Sequence, residues 1–454
     1  MPIDPIRKKN FQLFDSLKGG ERLGVDEQGR LYVRKDDSSL TSLFNKHITA
    51  DQQHLKDVAL DYVTRVFSQK KFRSIDTESK NYRQLMSKLN SLGLFSKSDK
   101  QSVAFLFYNR RYRDLVVSGI DEAVAESIVT IEMSIDSYIS MAYKVKTRPT
   151  PTNGGMSGSY FIRDREGKKI AVFKPQDEDS FMPNAPMPEH RRTYDPTAPE
   201  RHQRRGQPQG IAWLKEVAAW EIDKGQFANV PFTTEITVPF PTQGSGSRPV
   251  YKRGSLQMFV AGKGAHELTD AEKDAIPAQQ IQKMAAFDLL IGNGDRHEGN
   301  FMWDEASQTL SLIDHGLTFL DSLDWKEGWK FSEGRFEWST YPQARDIVNP
   351  EVKAWILEYD LDAKCQILKK LGISERSIRE HRLRVLFTQE GVRRGITLAM
   401  LASCCMPTKT QRSWLDTLVH STHEETSDEE KFYVVYQKKA EEFFSKVLEQ
   451  MQNP

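Results

Sequence analysis

The chain has 454 residues, enough for a sizeable core and two or three structural units, with 38% hydrophobic and 28% charged residues. Its 64 Lys+Arg against 63 Asp+Glu leave a formal charge of +1; no nucleic-acid partner is expected, and attraction to phosphate or membrane has to come from local patches. Three cysteines without metal-site spacing exclude a disulfide framework and fit a reducing compartment, no run approaches the ~18 apolar residues of a membrane span, and the opening MPIDPIRKKNFQLF lacks the apolar core of a secretory signal.

Residues 1–148 are expected to form a mainly α-helical domain. Residues 22–34 (RLGVDEQGRLYVR) read as a hairpin. From Asp51 the pattern turns helical, with Leu55, Val58, Ala59, Tyr62, Val63, Val66 and Phe67 on one stripe. A second helix carries Tyr82, Leu85, Met86 and Leu89, and a third, from about Asp121, carries Val124, Ile128, Ile131, Ile135, Ile139 and Ala142. These stripes are core faces. Tyr108-Asn-Arg-Arg-Tyr-Arg113 interleaves aromatics with arginines, as a solvated helix face or as a contact for phosphate or inositol phosphate. Pro149, Pro151, Gly154 and Gly155 mark a boundary near residue 148.

Beyond it the texture changes. Gly154 to Ile162 reads as a glycine turn between strands, and Asp164-Arg-Glu-Gly167 as a hairpin turn. Ile170-Ala-Val-Phe-Lys-Pro175 is a buried strand that delivers a lysine. Small residues let backbone N–H groups approach phosphates, with hydroxyls from Ser157 and Ser159 around Gly158. A glycine hairpin whose return strand brings Lys174 is the arrangement that covers and clamps ATP. Residues 176–210 form a Pro-, Arg- and His-rich insertion, expected to be an exposed loop. Its Arg191, Arg192, Arg201, Arg204 and Arg205 suit either solubility or an anionic membrane surface. A helix over 211–222 turns Trp213, Val217, Ala218 and Trp220 inward, with Glu216 on the same side. Strands follow at 233–238 and 254–260, then a polar loop, then a helix over 278–291.

That helix leads into Gly292-Asn-Gly-Asp-Arg-His-Glu-Gly-Asn-Phe-Met-Trp303, and Ile313-Asp-His-Gly316 follows. Asp295 and Asn300 are five residues apart, and Asp314 comes fourteen after the amide. Phosphoryl transfer needs such a set: one carboxylate to orient the attacking hydroxyl, and an amide and a second carboxylate to hold magnesium on the ATP phosphates. The Asp-to-Asn interval equals that of H-R-D-x-x-x-x-N, although here the histidine follows the Asp-Arg pair. An aromatic-rich run (Trp325, Trp329, Phe331, Phe336, Trp338, Tyr341) ends in Pro342-Gln-Ala344, and its Trp and Phe side chains, if exposed, suit a bilayer interface. The remainder is helical: Trp355, Ile367, Leu368 and Leu371 form one set, and the last helix carries Tyr436, Ala440, Phe443, Phe444, Val447, Leu448 and Met451. Glu424 to Glu430 is an acidic linker.

With these residues in place, residues 153–345 resemble the phosphatidylinositol 3-/4-kinase group, most closely the type II phosphatidylinositol 4-kinases. The resemblance is carried by Gly155-Met-Ser-Gly-Ser-Tyr-Phe with the lysine strand, by Ser255-Leu-Gln-Met-Phe-Val, by Gly294-Asp-Arg-His-Glu-Gly-Asn with Ile313-Asp-His-Gly, and by the aromatic run. It implies an α+β, bilobal protein-kinase-like catalytic domain behind the helical N-terminal subdomain, with an N-lobe over 149–262 and a mainly helical C-lobe over 263–454. It also implies ATP and Mg2+ (or Mn2+) as cofactors. Lys174 would contact the ATP phosphates and Glu216 would hold the lysine; Gln257, Phe259 and Val260 would lie at the nucleotide hinge. Asp295 would act on the acceptor hydroxyl, and Asn300 and Asp314 would bind the metal. His297 is expected either to assist the substrate or to serve a structural role.

One departure bears on the acceptor. Type II lipid kinases carry a palmitoylated cysteine cluster in the insertion after the lysine strand, and residues 176–210 hold no cysteine. The Asp-Arg-His form also recurs in plant relatives credited with protein phosphorylation and in bacterial HipA-like serine kinases. The implied activity is transfer of the ATP γ-phosphate to an inositol lipid, with a protein serine/threonine kinase, polyanion-activated, as the alternative. A cytoplasmic or membrane-peripheral location is expected, and a secreted bacterial effector acting in host cytosol is a further reading of the same chain.

Overall fold

The computed structural model of the protein describes residues 22–25 and 31–34, scattered positions between 116 and 129, and then 149–152, 155–163, 166–195, 207–240, 250–320, 336–407 and 411–452. The chain divides into two compact units, Met1–Met133 and Ser134–Pro454.

In the first unit, β1 (Arg22–Val25) and β2 (Leu31–Arg34) form the antiparallel hairpin expected from the sequence, with Leu23 opposite Val33. Helical positions between 122 and 129 include the buried Ala125, Ile128 and Val129. The stripes at 55–67 and 82–89, the Tyr108–Arg113 segment and positions 131–142 lie outside the described residues.

The second unit opens with an antiparallel sheet in the order β3 (Thr150–Pro151), β4 (Tyr160–Arg163), β5 (Lys169–Pro175), β7 (Val250–Met258), β6 (Thr233–Phe240). Period-two alternation decides what β5 does. Ala171, Phe173 and Pro175 are buried on one face, so Ile170, Val172 and Lys174 share the other, half-buried one. The β7 backbone passes so close to the end of β5 that a Cβ on Gly254 would sit 2.1 Å from the Lys174 carbonyl oxygen, and only glycine fits. Against β6 and β7 packs α1 (Ala212–Ile222), built from good helix formers and buried along nearly its whole length. Its first amide, Ala212 N–H, is capped from a distance by Asp179 Oδ2 at 3.1 Å.

A smaller sheet, β8 (Lys263–Gly264), β9 (Phe301–Asp304) and β10 (Thr309–Leu312), has β9 in the middle. Helices α2 (Asp270–Asp274), α3 (Ala278–Ile291), α4 (Pro342–Arg345), α5 (Pro350–Leu357), α6 (Leu361–Leu371), α7 (Glu375–Arg393), α8 (Leu398–Cys405), α9 (Trp414–Glu425) and α10 (Glu429–Gln452) make up the rest. The central one is α3. It packs on α4, α5, α7 and α8, and Ile281, Met284 to Phe287 and Leu289 to Ile291 are buried, each large apolar side chain contributing about 1.5–3 kcal/mol. Gly292 ends it in the left-handed conformation (φ 61°), which turns the chain into the stretch that carries Asp295 and Asn300.

Two expectations are corrected here. The insertion is exposed only in part: Gln176–Glu178 and Pro188–His190 form 3-10 turns, and Pro183, Asn184 and Pro186 to Glu189 are exposed, but Glu178, Asp179, Ser180, Met182 and Ala185 are buried, as are Gln207 and Gln209 further along. Composition misleads because polar side chains do the anchoring. Gln209 alone donates to the Phe181 carbonyl and accepts from Asp195 N–H. Arg191 and Arg192 are exposed, whereas Arg201, Arg204 and Arg205 lie outside the described residues. The aromatic run is corrected too. Phe336, Trp338 and Tyr341 are buried, held by hydrogen bonds from Trp338 Nε1 to Asp288 (3.1 Å) and from Tyr341 Oη to Glu298 (2.8 Å); Trp325, Trp329 and Phe331 lie outside the described residues.

Candidate active site

Three elements converge on one ammonium group. β5 carries Lys174, whose Nζ lies 2.5 Å from Glu216 Oε1 on α1 and 3.0 Å from Asp314 Oδ1 on the turn after β10. Burial alone would lower the lysine pKa, but Asp314 and Glu216 outweigh it and hold the group charged. For Glu216 burial favours the neutral acid, yet Lys174 prevails and keeps the carboxyl well below the usual carboxylate range. The second Glu216 oxygen accepts the backbone N–H of His315 at 2.9 Å, so one side chain grips both the lysine and the Asp-His-Gly turn. Asp314 adopts φ 57°, a left-handed conformation that costs a non-glycine residue about 1 kcal/mol, and its side chain is half exposed.

The stretch from Gly292 to Asn300 is set by a network that no motif in the sequence announces. Asp288, the one acid of α3, and Arg296 form an ion pair with both side chains fully buried, Nε to Oδ2 2.9 Å. Arg296 also donates to the carbonyls of Asn300 and Ile313 (the latter at 2.7 Å) and, at 3.0 Å, to His315 Nε2. A guanidinium only donates, so Nε2 of His315 is the acceptor and Nδ1 carries the proton. That Nδ1 stands 3.8 Å from Glu216, beyond hydrogen-bond reach. Burial, ahead of the neighbouring Arg296, lowers the His315 pKa and keeps the ring neutral. Arg296 thus ties Asn300 and the residue before Asp314 to one point in the core.

Within the loop, Asn293 donates to Asp288 (3.1 Å) and accepts from Asp295 N–H (2.9 Å). Asn300 donates Nδ2–H to the Asp295 carbonyl at 2.8 Å, which fixes the amide and makes Oδ1 the atom that can face a cation. His297 accepts Gly299 N–H at Nδ1 (3.0 Å) and caps the 298–300 turn, a structural contact.

The glycine hairpin is held from below. Ser157 Oγ donates to Asp179 at 2.8 Å and accepts from Ser180 N–H at 3.0 Å; Gly158 N–H donates to the Glu178 carbonyl at 2.8 Å. The Ser157 hydroxyl therefore serves Asp179 in this arrangement, and the Ser159 carbonyl pairs with Thr152 N–H. At the hinge, Gln257 is buried and donates to Thr233 (3.0 Å), Phe259 N–H closes onto the Ile170 carbonyl, and Val260 follows, half buried. The structure brings together Lys174, Glu216 and Asp314, and, by the Asn300–Asp295 bond, the two loop residues. Ile170 and Val172, beside Lys174 on β5, offer an apolar surface that simple alternation along the strand predicts.

Residues 155–336 match the family model described as Phosphatidylinositol 3- and 4-kinase. Among curated relatives, Phosphatidylinositol 4-kinase gamma 4 of Oryza sativa subsp. japonica is 30% identical over 293 residues, covering 61% of this chain and 48% of the relative. Phosphatidylinositol 4-kinase gamma 4 of Arabidopsis thaliana is 27% identical over 329 residues (67% and 55%), and the gamma 3 protein of the same plant 28% over 312 residues (62% and 52%). The chain spans about half the length of these relatives. A lysine strand paired to a helix glutamate, an Asp-to-Asn loop and an Asp-His-Gly turn thus lie, on an α+β kinase-like scaffold, within the stretch of this chain that matches the phosphatidylinositol 3- and 4-kinase family model.

Proposed function

We propose that the protein is an ATP-dependent phosphotransferase that moves the γ-phosphate of ATP to a hydroxyl of an inositol lipid. The observation that carries this reading is the Lys174–Glu216–Asp314 triad, with Asp295 and Asn300 locked to each other on the neighbouring loop. ATP would lie under the glycine hairpin against Ile170 and Val172, with its phosphates on the Lys174 ammonium. Asp295 orients the acceptor hydroxyl and takes its proton as the oxygen bonds to γ-phosphorus and the bond to ADP breaks.

Asn300 Oδ1 and Asp314 would hold Mg2+ (or Mn2+). The donor set fits: magnesium binds through one or two carboxylate-type ligands and completes its shell with water and phosphate oxygens. Among the described residues no cluster of three or more acidic, His or Cys side chains offers an all-protein cage. When bound, the ion neutralises charge on the transferring phosphates.

The relatives' names support an inositol lipid over a protein as acceptor. A lipid acceptor places the work at a membrane surface reached from the cytoplasm, and among the described residues no helix is long and apolar enough to cross one. The exposed Arg191 and Arg192 suit anionic headgroups. The test offers labelled ATP with phosphatidylinositol vesicles and, separately, with generic protein substrates. Label is expected in the lipid and absent with Asp295→Ala or Asp314→Ala. Label confined to protein overturns the lipid reading, and wild-type turnover in either variant overturns the site.

A further inference from the structure

The 176–210 insertion ends inside the catalytic layer. Gln207, 1% exposed, donates Nε2–H to the Gly316 carbonyl at 2.9 Å, while its Oε1 accepts from the buried Lys215 ammonium on α1. Lys215 precedes Glu216, which holds the His315 N–H of the same turn. Two adjacent α1 residues thus grip one turn, Glu216 directly and Lys215 by way of Gln207. The turn itself is tight. Asp314 is left-handed, and a Cβ on Gly316 would lie 3.1 Å from Ala212 Cβ.

We infer that Gln207 is a positioning residue: by fixing the Gly316 carbonyl it sets where the Asp314 carboxylate stands, so the far end of the insertion belongs to the cation-binding apparatus. The inference rests on the nucleotide-and-cation reading proposed above. A primary amide suits the post because it donates to a carbonyl and accepts from an ammonium at once. Without its N–H, the Gly316 carbonyl is left buried and unsatisfied. Relief requires the turn to move, and the strained Asp314 is where it yields. Residues that orient metal ligands in this indirect way typically change cation affinity 10–100-fold when replaced.

The experiment titrates ADP calorimetrically into the full chain, with Mg2+ and with EDTA. Tighter binding in Mg2+ by the wild type supports the parent reading, and no binding of ADP under either condition sinks that reading separately from the inference. Gln207→Glu keeps an acceptor for Lys215 but loses the donor to Gly316. It is expected to lose roughly tenfold of the Mg2+-dependent gain while ADP affinity in EDTA stays within about twofold. Gln209→Glu is the control for a purely structural loss, since Gln209 is buried in the same insertion but serves Phe181 and Asp195; it should lower the melting temperature and keep the gain. An undiminished gain in Gln207→Glu overturns the inference, as does an equal loss in EDTA or an equal loss of the gain in the control. Should Gln207→Glu fail to fold, Gln207→Met is read in the same way.

Discussion

Replacing Arg296 by methionine tests whether the buried Asp288–Arg296 pair holds the catalytic stretch. Methionine keeps much of the volume and removes the charge. Asp288 would retain Asn293 Nδ2 and Trp338 Nε1 as donors but lose its counter-ion with a side chain that no water reaches. Breaking a fully buried pair from one side costs about 3–5 kcal/mol. The Ile313 carbonyl, which Arg296 now serves, adds about 1 kcal/mol where it stays dry, while the Asn300 carbonyl keeps the Ile313 N–H at 3.0 Å. The sum of about 5 kcal/mol corresponds to a melting point lower by roughly 10 °C at about 2 °C per kcal/mol for a unit of this size. Urea unfolding followed by tryptophan fluorescence measures it, with Trp338 beside the lesion. Asp288→Asn in the same chain should recover about 2 kcal/mol, because the uncompensated charge goes while the orphaned Ile313 carbonyl remains. A cost for Arg296→Met below about 1 kcal/mol, or strict additivity with Asp288→Asn, would refute the reasoning.

Other expectations follow from the same contacts. Lys174→Met should lower turnover at least about 100-fold and leave the fold intact, measured by initial rates and circular dichroism; a fall under tenfold would remove Lys174 from the phosphate site. Gly254→Ala drives a Cβ into the Lys174 carbonyl and should cost about 1–3 kcal/mol in urea unfolding, with no loss of stability counting against the pairing of Gly254 with Pro175 across β5 and β7. Buried His381 donates from Nδ1 to the Leu290 carbonyl (2.9 Å) and accepts from the Tyr359 hydroxyl (3.1 Å), and burial pushes its pKa down to about 4. The unfolded chain protonates this group first, so its stability contribution is whole above about pH 6.5 and drains as pH falls towards 4, by about 2 kcal/mol at pH 5. Asp223, raised by burial to about 7, acts oppositely, its contribution present at low pH and lost as pH rises through about 7. The measurement is therefore the cost of His381→Gln, which should shrink by about 2 kcal/mol between pH 7.5 and pH 5, and a pH-independent cost would refute it.

The fold and the polar groups that make the chemistry are legible in the sequence for different reasons. The lysine strand, α1 and α3 announce themselves by period, and the 278–291 helix ends where its glycine says it should. Asp295, Asn300 and Asp314 are visible because their spacing is set by a short loop and a hairpin, both local. What the sequence hides is long-range and polar. Asp288 reads as a stray acid in an apolar helix, and Arg296 as the filler between Asp295 and His297; only the folded chain shows that they meet. The insertion misleads for a related reason: few aliphatics normally signal exposure, but here Asp179, Gln207 and Gln209 bury themselves by satisfying backbone groups 14 to 109 positions away.

That distinction also settles which of the two carboxylates around Lys174 can change partner. Glu216 has its side chain only 2% exposed, accepts from Lys174 and His315 N–H together, and would be left a dry, uncompensated charge if the lysine moved off. Asp314 is 52% exposed, and its pair with Lys174 is of the solvated kind, typically about 0–1 kcal/mol. The lysine is therefore anchored to α1 and only leans on Asp314. An oxygen so weakly committed can turn to a cation at little cost, whereas the left-handed backbone and the Gln207–Gly316 bond keep the carboxylate at its station while it does so.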